Sequence, residues 1–261
     1  MSGRKAAGPA VSALSMVVWI GISLSTLFWT FLIACVYALH RLLDPQLRLA
    51  HRLASLWGRG LVSMAPGSRV TLTGRQNIPL DRPVIFMANH QSYTDVPALF
   101  FVPAQFKWMA DEDLFQIPVF GWAMRMAGYI PVRRGDARHA VRSLQKARRL
   151  LARGISVFIF PEGTRSHTGV MGRFQSGGFR LAEETGAAIV PVVVSGTRQL
   201  LPRGSWAFRW GVGIWIDILP PVPPPGSRSE IHPLMGETRA RMWAAYGRRV
   251  KSLAGHVRIT A

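Results

Sequence analysis

From Ala6 to Leu39 the chain contains no Asp, Glu, Lys or Arg, and from Val11 onward that run is dense in Val, Ile, Leu, Phe and Trp. A helix of this length, rising about 1.5 Å per residue, can cross a hydrocarbon layer of about 30 Å. It is longer than the apolar stretch of a signal peptide, and no small-residue cleavage site follows it. Arg4 and Lys5 precede it, and His40, Arg41, Arg48, His51 and Arg52 follow. Positive charge on both flanks leaves its orientation open. A single span, a helix lying in the interface and a hairpin entering one leaflet are all compatible with the pattern. The next stretch, Gln46–Met64, mixes Leu49, Leu53, Leu56, Trp57 and Leu61 with Arg48, His51, Arg52 and Arg59. It reads as a basic amphipathic helix that rests on anionic lipid. Residues 1–65 are therefore expected to be membrane-anchoring helices and residues 66–261 one catalytic domain.

Past Pro66-Gly67 the pattern changes to short apolar runs alternating with helical periodicity. Strands are expected at Val70–Thr73, Val84–Met87, Tyr129–Val132, Ile155–Phe160, Ile189–Val194 and Val212–Leu219, several of them continuous apolar runs suited to burial on both faces. The clearest helix is Ala137–Arg153, capped by Asp136 and stopped by Gly154. A last helix is expected from about Ile231 to Leu253. The alternation predicts an α/β domain with helices flanking a mixed, mainly parallel sheet.

Charge narrows the partners. Lys and Arg number 32 against 13 acidic residues, a net charge of +19. Such a field seeks an anion. With the apolar N-terminus and nine Trp, that anion is read as lipid head groups, and no basic cluster interleaved with aromatics forms a nucleic-acid platform. The single Cys, Cys35, lies in the apolar run and excludes an internal disulfide or a Cys-based metal site. No Gly-x-Ser-x-Gly elbow, phosphate loop or His-Glu-x-x-His spacing is present, and no metal site is expected.

Two strand ends carry candidate chemistry. In Asn89-His90-Gln91-Ser92-Tyr93-Thr94-Asp95 a buried strand runs into a turn, with Pro97 opening the helix beyond. On one continuous helix His90 and Asp95 would lie about 140° apart. Across a strand-to-helix turn the carboxylate can instead fold back to the imidazole and make a general base. The competing reading leaves Asp95 as a helix cap and His90 as a turn residue. In Phe160-Pro161-Glu162-Gly163-Thr164-Arg165-Ser166 a second strand ends in a turn that displays Glu162, Thr164 and Arg165. Arg165 there either grips a phosphate or pairs with Glu162. Arg133 and Arg134 end a third strand before the capped helix.

Together these segments resemble the 1-acylglycerol-3-phosphate acyltransferase (PlsC-type) family. Its Asn-His-x4-Asp block matches Asn89, His90 and Asp95, and its Gly-x-Ile-x-x-x-Arg block matches Gly128, Ile130 and Arg134. The Phe-Pro-Glu-Gly-Thr-Arg-Ser block is complete from Phe160 to Ser166, and the Val-Pro-Val strand is Val190-Pro191-Val192. The resemblance implies that His90, oriented by Asp95, is the catalytic base. It further implies that Glu162 and Gly163, beside Thr164, shape the acceptor site and that Arg134 and Arg165 bind its phosphate. The implied reaction moves a fatty acyl group from acyl-CoA or acyl-ACP, as co-substrate and with no cofactor, to the sn-2 hydroxyl of a lysophospholipid acceptor. The product would be phosphatidic acid. The implied setting is a bacterial inner membrane, with the catalytic domain on the cytoplasmic face.

Two departures bear on the head group. Asp111, Glu112 and Asp113 stand where many members carry a basic residue, which assigns a compensating phosphate contact to Lys107. Arg133 stands where many carry Asp. A lyso-ornithine lipid or other lysophospholipid is therefore the alternative acceptor, and an inactive membrane-tethered binding protein the remote one.

Overall fold

A computed structural model describes residues 9–40, 43–133 and 135–257. Helices α1 (Pro9–His40) and α2 (Arg48–Ser63) precede the first strand, β1 (Arg69–Thr73). There follow β2 (Ile85–Ala88), α3 (Asp95–Leu99), β3 (Phe106–Asp111), α4 (Glu112–Gln116), α5 (Phe120–Met126) and β4 (Ile130–Val132). The chain continues through α6 (Ala137–Ala152), β5 (Ser156–Ile159), α7 (Gly177–Thr185), β6 (Ile189–Ser195), α8 (Thr197–Leu200), β7 (Gly213–Ile218) and α9 (Ile231–Val257).

The strands form one seven-stranded sheet in the order β1-β7-β6-β2-β5-β3-β4. Only β6 and β7 pair antiparallel, with Val193 opposite Asp217. Every residue of β2, β5 and β6 is buried, because these central strands are covered on both faces. Alternation along them then sorts the core. Phe86 and Phe158 point to the layer of α1, α2, α3 and α5, whereas Ile85, Met87, Val157 and Ile159 point to the layer of α6, α7 and α9.

The predicted strands are all present within a residue or two. Helix α6 is capped as expected, Asp136 accepting from the His139 N–H at 2.9 Å, and Gly154 with φ 76° ends it. Strand β3 was not anticipated, since Lys107 and Asp111 interrupt its apolar run.

Helix α2 forms where the amphipathic pattern predicts it, and only part of its basic set faces outward. Its small residues Ala50, Ala54 and Gly58 face inward, and at Gly58 a Cβ would come within 2.2 Å of the Phe100 ring. His51 is buried with them, its ring 4.6 Å from that of Phe106 and its Nδ1 3.1 Å from the Tyr129 hydroxyl. Burial, then the nearby Lys107 charge, lowers its pKa to about 3, so the imidazole is neutral. Arg59 is turned in as well, donating to the Phe100 carbonyl at 2.9 Å. Arg48 and Arg52 are exposed. Residue 65 is accordingly no break in packing, because Ala50, Ala54 and Val62 share one core with Phe86 and Leu99.

Helix α1 packs on α2 and α5 through Val18 and Ile33. Its opposite side leaves Met16, Val17, Ile20, Leu24, Phe28 and Phe31 exposed. It is the one helix among the described residues long and apolar enough to cross a membrane.

Candidate active site

Strand β2 hands its chain to the site at Asn89, whose amide donates to the Val194 carbonyl at 2.9 Å and accepts from the Val194 N–H at 2.8 Å. A side chain thus continues the ladder to β6 where the backbone turns away. His90 follows with both backbone groups fixed: its N–H donates to Glu162 at 2.8 Å, and its carbonyl accepts from the Ser166 N–H at 2.8 Å. The two strand-end turns are therefore tied directly to one another.

The fold-back reading of His90 and Asp95 is the one the structure adopts. Asp95 is fully buried at the start of α3, and its Oδ2 lies 2.7 Å from His90 Nδ1. The same oxygen accepts from the backbone N–H groups of Gln91 at 2.6 Å and Ser92 at 2.8 Å. Asp95 is thus both turn organiser and imidazole partner, so the two sequence readings are combined rather than exclusive. With Nδ1 engaged, Nε2 is the ring nitrogen left for a substrate. The imidazole is stacked on Phe160, with centroids 3.9 Å apart and planes 13° from parallel, and Phe160 is stacked in turn on Trp108 at 5.5 Å.

Glu162 is buried, and burial raises its pKa against the two N–H groups that favour the charged form. Besides His90 it accepts from the Gly172 N–H at 2.6 Å. Its carboxylate therefore shapes the site by holding backbone, and it does not pair with Arg165. Gly163 takes φ 71°, a left-handed turn conformation open to Gly. Thr164 is exposed at the cavity edge. Arg165 lays its guanidinium over the Tyr93 ring, 3.4 Å from the centroid, a cation–π contact that leaves the planar edge for an anion.

Lys107 is a correction. It is almost fully buried and donates to the carbonyls of Leu47 at 2.9 Å and Ala127 at 2.8 Å. Burial lowers its pKa to about 7. It joins the starts and ends of helices and is not among the residues lining the cavity. Arg134 lies outside the described residues. Its neighbour Arg133 is paired with Glu112, so the two departures in the sequence answer each other as an ion pair.

A cavity of about 1870 Å³ opens in front of His90. Val18, Trp19 and Ile33 of α1, Trp57 of α2, Phe120 of α5 and Trp108 of β3 contribute to its largely apolar wall, with Glu162, Thr164 and Arg165 at the polar end. Sequence reasoning did not place Phe160, Trp108 or Tyr93 in the site. Phe160 and Tyr93 lie inside the two motifs and could have been weighed there. Trp108 carried no signal, because β3 was unrecognised.

A mainly parallel sheet with a His–Asp pair at one strand end, an Arg-bearing turn at the next and a large apolar cavity fits an acyltransferase domain. Residues 69–195 match the family model described as Acyltransferase. The chain is 36% identical over 218 residues to a chloroplastic 1-acyl-sn-glycerol-3-phosphate acyltransferase of Arabidopsis thaliana, covering 82% of this chain and 60% of that protein. It is 32% identical over 151 residues to the 1-acyl-sn-glycerol-3-phosphate acyltransferase of Pseudomonas aeruginosa, covering 56% and 57%. The crystal structure of the 1-acyl-sn-glycerophosphate acyltransferase PlsC from Thermotoga maritima superposes with a TM-score of 0.75 at 27% identity, covering 90% of this chain and 97% of that one. The chain is therefore similar in sequence and in fold to PlsC-type acyltransferases. It spans about half to three-fifths of the length of the curated relatives it matches.

Proposed function

We propose that the protein is a membrane-bound O-acyltransferase that moves a fatty acyl group from an acyl thioester to the sn-2 hydroxyl of 1-acyl-sn-glycerol 3-phosphate, giving phosphatidic acid. The observation that carries this reading is the His90–Asp95 pair, 2.7 Å apart, standing at the polar end of an apolar cavity beside Arg165. His90 Nε2 takes the acceptor's hydroxyl proton as that oxygen attacks the thioester carbonyl, and Asp95 stabilises the imidazolium. The tetrahedral intermediate then collapses, and the sulfur leaves with the proton returned by His90. Arg165 pairs with the acceptor's phosphate. Arg134, matching the family motif, is assigned the same role. The cavity's volume exceeds the roughly 300–1,000 Å³ of sites for one small ligand, which suits two long chains meeting at one carbonyl. The donor is a thioester on coenzyme A or on acyl carrier protein.

The exposed apolar side of α1 lies in the membrane, and the flank of α1 that lines the cavity gives lipid a short path to His90. Anionic lipid complements the basic surface. The same chemistry on another lysolipid is the second reading, favoured by Asp111, Asp113 and Asp136 along the cavity rim. A dead-site binding protein is disfavoured by the intact His90–Asp95 geometry. The test is transfer of labelled acyl groups, from either thioester, to a panel of lysolipids in vesicles. Labelling of 1-acylglycerol-3-phosphate supports the reading, and labelling of lyso-ornithine lipid alone moves the acceptor. No labelling of any acceptor refutes it.

A further inference from the structure

The segment between α8 and β7 joins three parts of the molecule that the reaction would need in register. On one side it grips α1: Trp19 Nε1 donates to the Trp206 carbonyl at 2.7 Å, the Phe208 N–H donates to Ser15 Oγ at 3.0 Å, and the Trp19 and Phe208 rings lie 5.3 Å apart. On the other side Arg203 donates to the Arg165 carbonyl. Near its start the Leu201 carbonyl accepts from Ser92 Oγ at 2.9 Å, in the turn between His90 and Asp95. One loop therefore touches the apolar helix, the phosphate-gripping turn and the catalytic turn.

Its surface composition is distinctive. Trp206 is 49% exposed, beside Trp19 at 36%, and Arg209 is exposed nearby. Exposed Trp together with Arg is the composition that settles at the level of lipid head groups, with the ring in the interfacial layer and the cation near phosphate. The patch is continuous with the exposed side of α1, because the Trp19 indole is bonded to the very residue whose side chain projects.

We infer that the 201–210 loop is a head-group-level membrane contact that sets the depth of Arg165 and His90 relative to the phosphates of the bilayer. This rests on the membrane-bound acyltransferase reading and specifies how that site meets its lipid. Trp206 and Arg209 sit in the interface. Through Trp19 the loop follows α1, and through Arg203 and Leu201 it carries that depth to the two active-site turns.

The test uses the full chain with vesicles of phosphatidylcholine and phosphatidylglycerol, measuring both vesicle binding and transfer to an embedded lysophospholipid. Trp206→Ala keeps the backbone carbonyl that Trp19 uses. It is expected to weaken vesicle binding on the order of ten-fold, the scale for withdrawing half an indole from an apolar layer. The apparent KM for embedded acceptor should rise in parallel with kcat held, and Trp206→Phe should recover most of the binding. Trp243→Ala, altering a 37% exposed Trp on α9 across the sheet, should bind as wild type. Wild-type binding by Trp206→Ala, or an equal loss in Trp243→Ala, overturns the inference. If the wild type transfers no acyl group, the acyltransferase reading fails, and vesicle binding still decides the role of the loop.

Discussion

Replacing Asp95 by Asn removes one charge and little else. The oxygen that faces His90 also accepts from the N–H groups of Gln91 and Ser92. An Asn placed with its carbonyl oxygen there keeps all three contacts and the tautomer. Its NH2 takes the place of Asp95 Oδ1, a buried atom with no hydrogen-bond partner, so a modest stability loss of about 1–3 kcal/mol is expected. What disappears is the attraction between carboxylate and imidazolium across the 2.7 Å contact. Two unit charges about 4 Å apart interact by about 4 kcal/mol at an effective permittivity near 20. That is a loss of about three powers of ten in kcat. Asp95 is fully buried and touches no substrate, so KM for the acceptor should hold. The assay is initial-rate transfer of labelled acyl groups to vesicle-embedded 1-acylglycerol-3-phosphate, with thermal unfolding measured on the same samples. A folded Asp95→Asn protein within ten-fold of wild type would refute the charge argument.

Arg165→Ala should raise KM for a phosphate-bearing acceptor on the order of ten- to a hundred-fold, the scale of one or two charge-assisted hydrogen bonds, with kcat nearly unchanged. An unchanged KM removes Arg165 from the phosphate site. Lys107→Met should leave that KM alone, since the ammonium bonds only backbone carbonyls; a raised KM would return Lys107 to the acceptor. The same variant tests linkage. Lys107 is held near 7 in the folded chain against 10.5 ordinarily, so between those values the unfolded chain binds more protons and stability rises with pH. The wild type should gain up to about 1.4 kcal/mol per pH unit over that window relative to Lys107→Met, read by denaturant unfolding at pH 7 and pH 9. Parallel pH profiles would contradict the lowered pKa of Lys107.

The parts of the fold that the sequence made legible are those where local pattern and burial agree. The apolar runs of β2 and β5 end in polar turns, so both the strands and the residues they present could be read together. Helix α6 announced itself by a capping Asp136, a one-sided apolar face and a terminating Gly154. Elements whose burial is not carried by large apolar residues were harder to read. Helix α2 packs Leu53 and Trp57 on the core but also buries Ala50, Ala54 and Gly58 and leaves Leu56 half exposed, so hydropathy alone did not mark His51 and Arg59 as inward-facing. In β3 a buried cation interrupts the strand pattern, which hid both the strand and Trp108. The pairing of Arg133 with Glu112 needs β3 and β4 as neighbours, which only the sheet order reveals. At the site itself the roles of His90 and Asp95 were accessible because five residues across a turn limit where the carboxylate can go. The stacking of Phe160 on the imidazole is a matter of side-chain direction at a strand end, which motif spacing does not encode.

The central claim is that His90 is the base of an acyl transfer to a lysophospholipid. It is tested most directly by following transfer from labelled acyl thioester to 1-acylglycerol-3-phosphate with wild type and His90→Ala in the same membranes. The expected result is wild-type-dependent formation of phosphatidic acid, and a loss of about two to four powers of ten in kcat in the variant with an unchanged unfolding temperature. Near-normal turnover by a folded His90→Ala protein would contradict it.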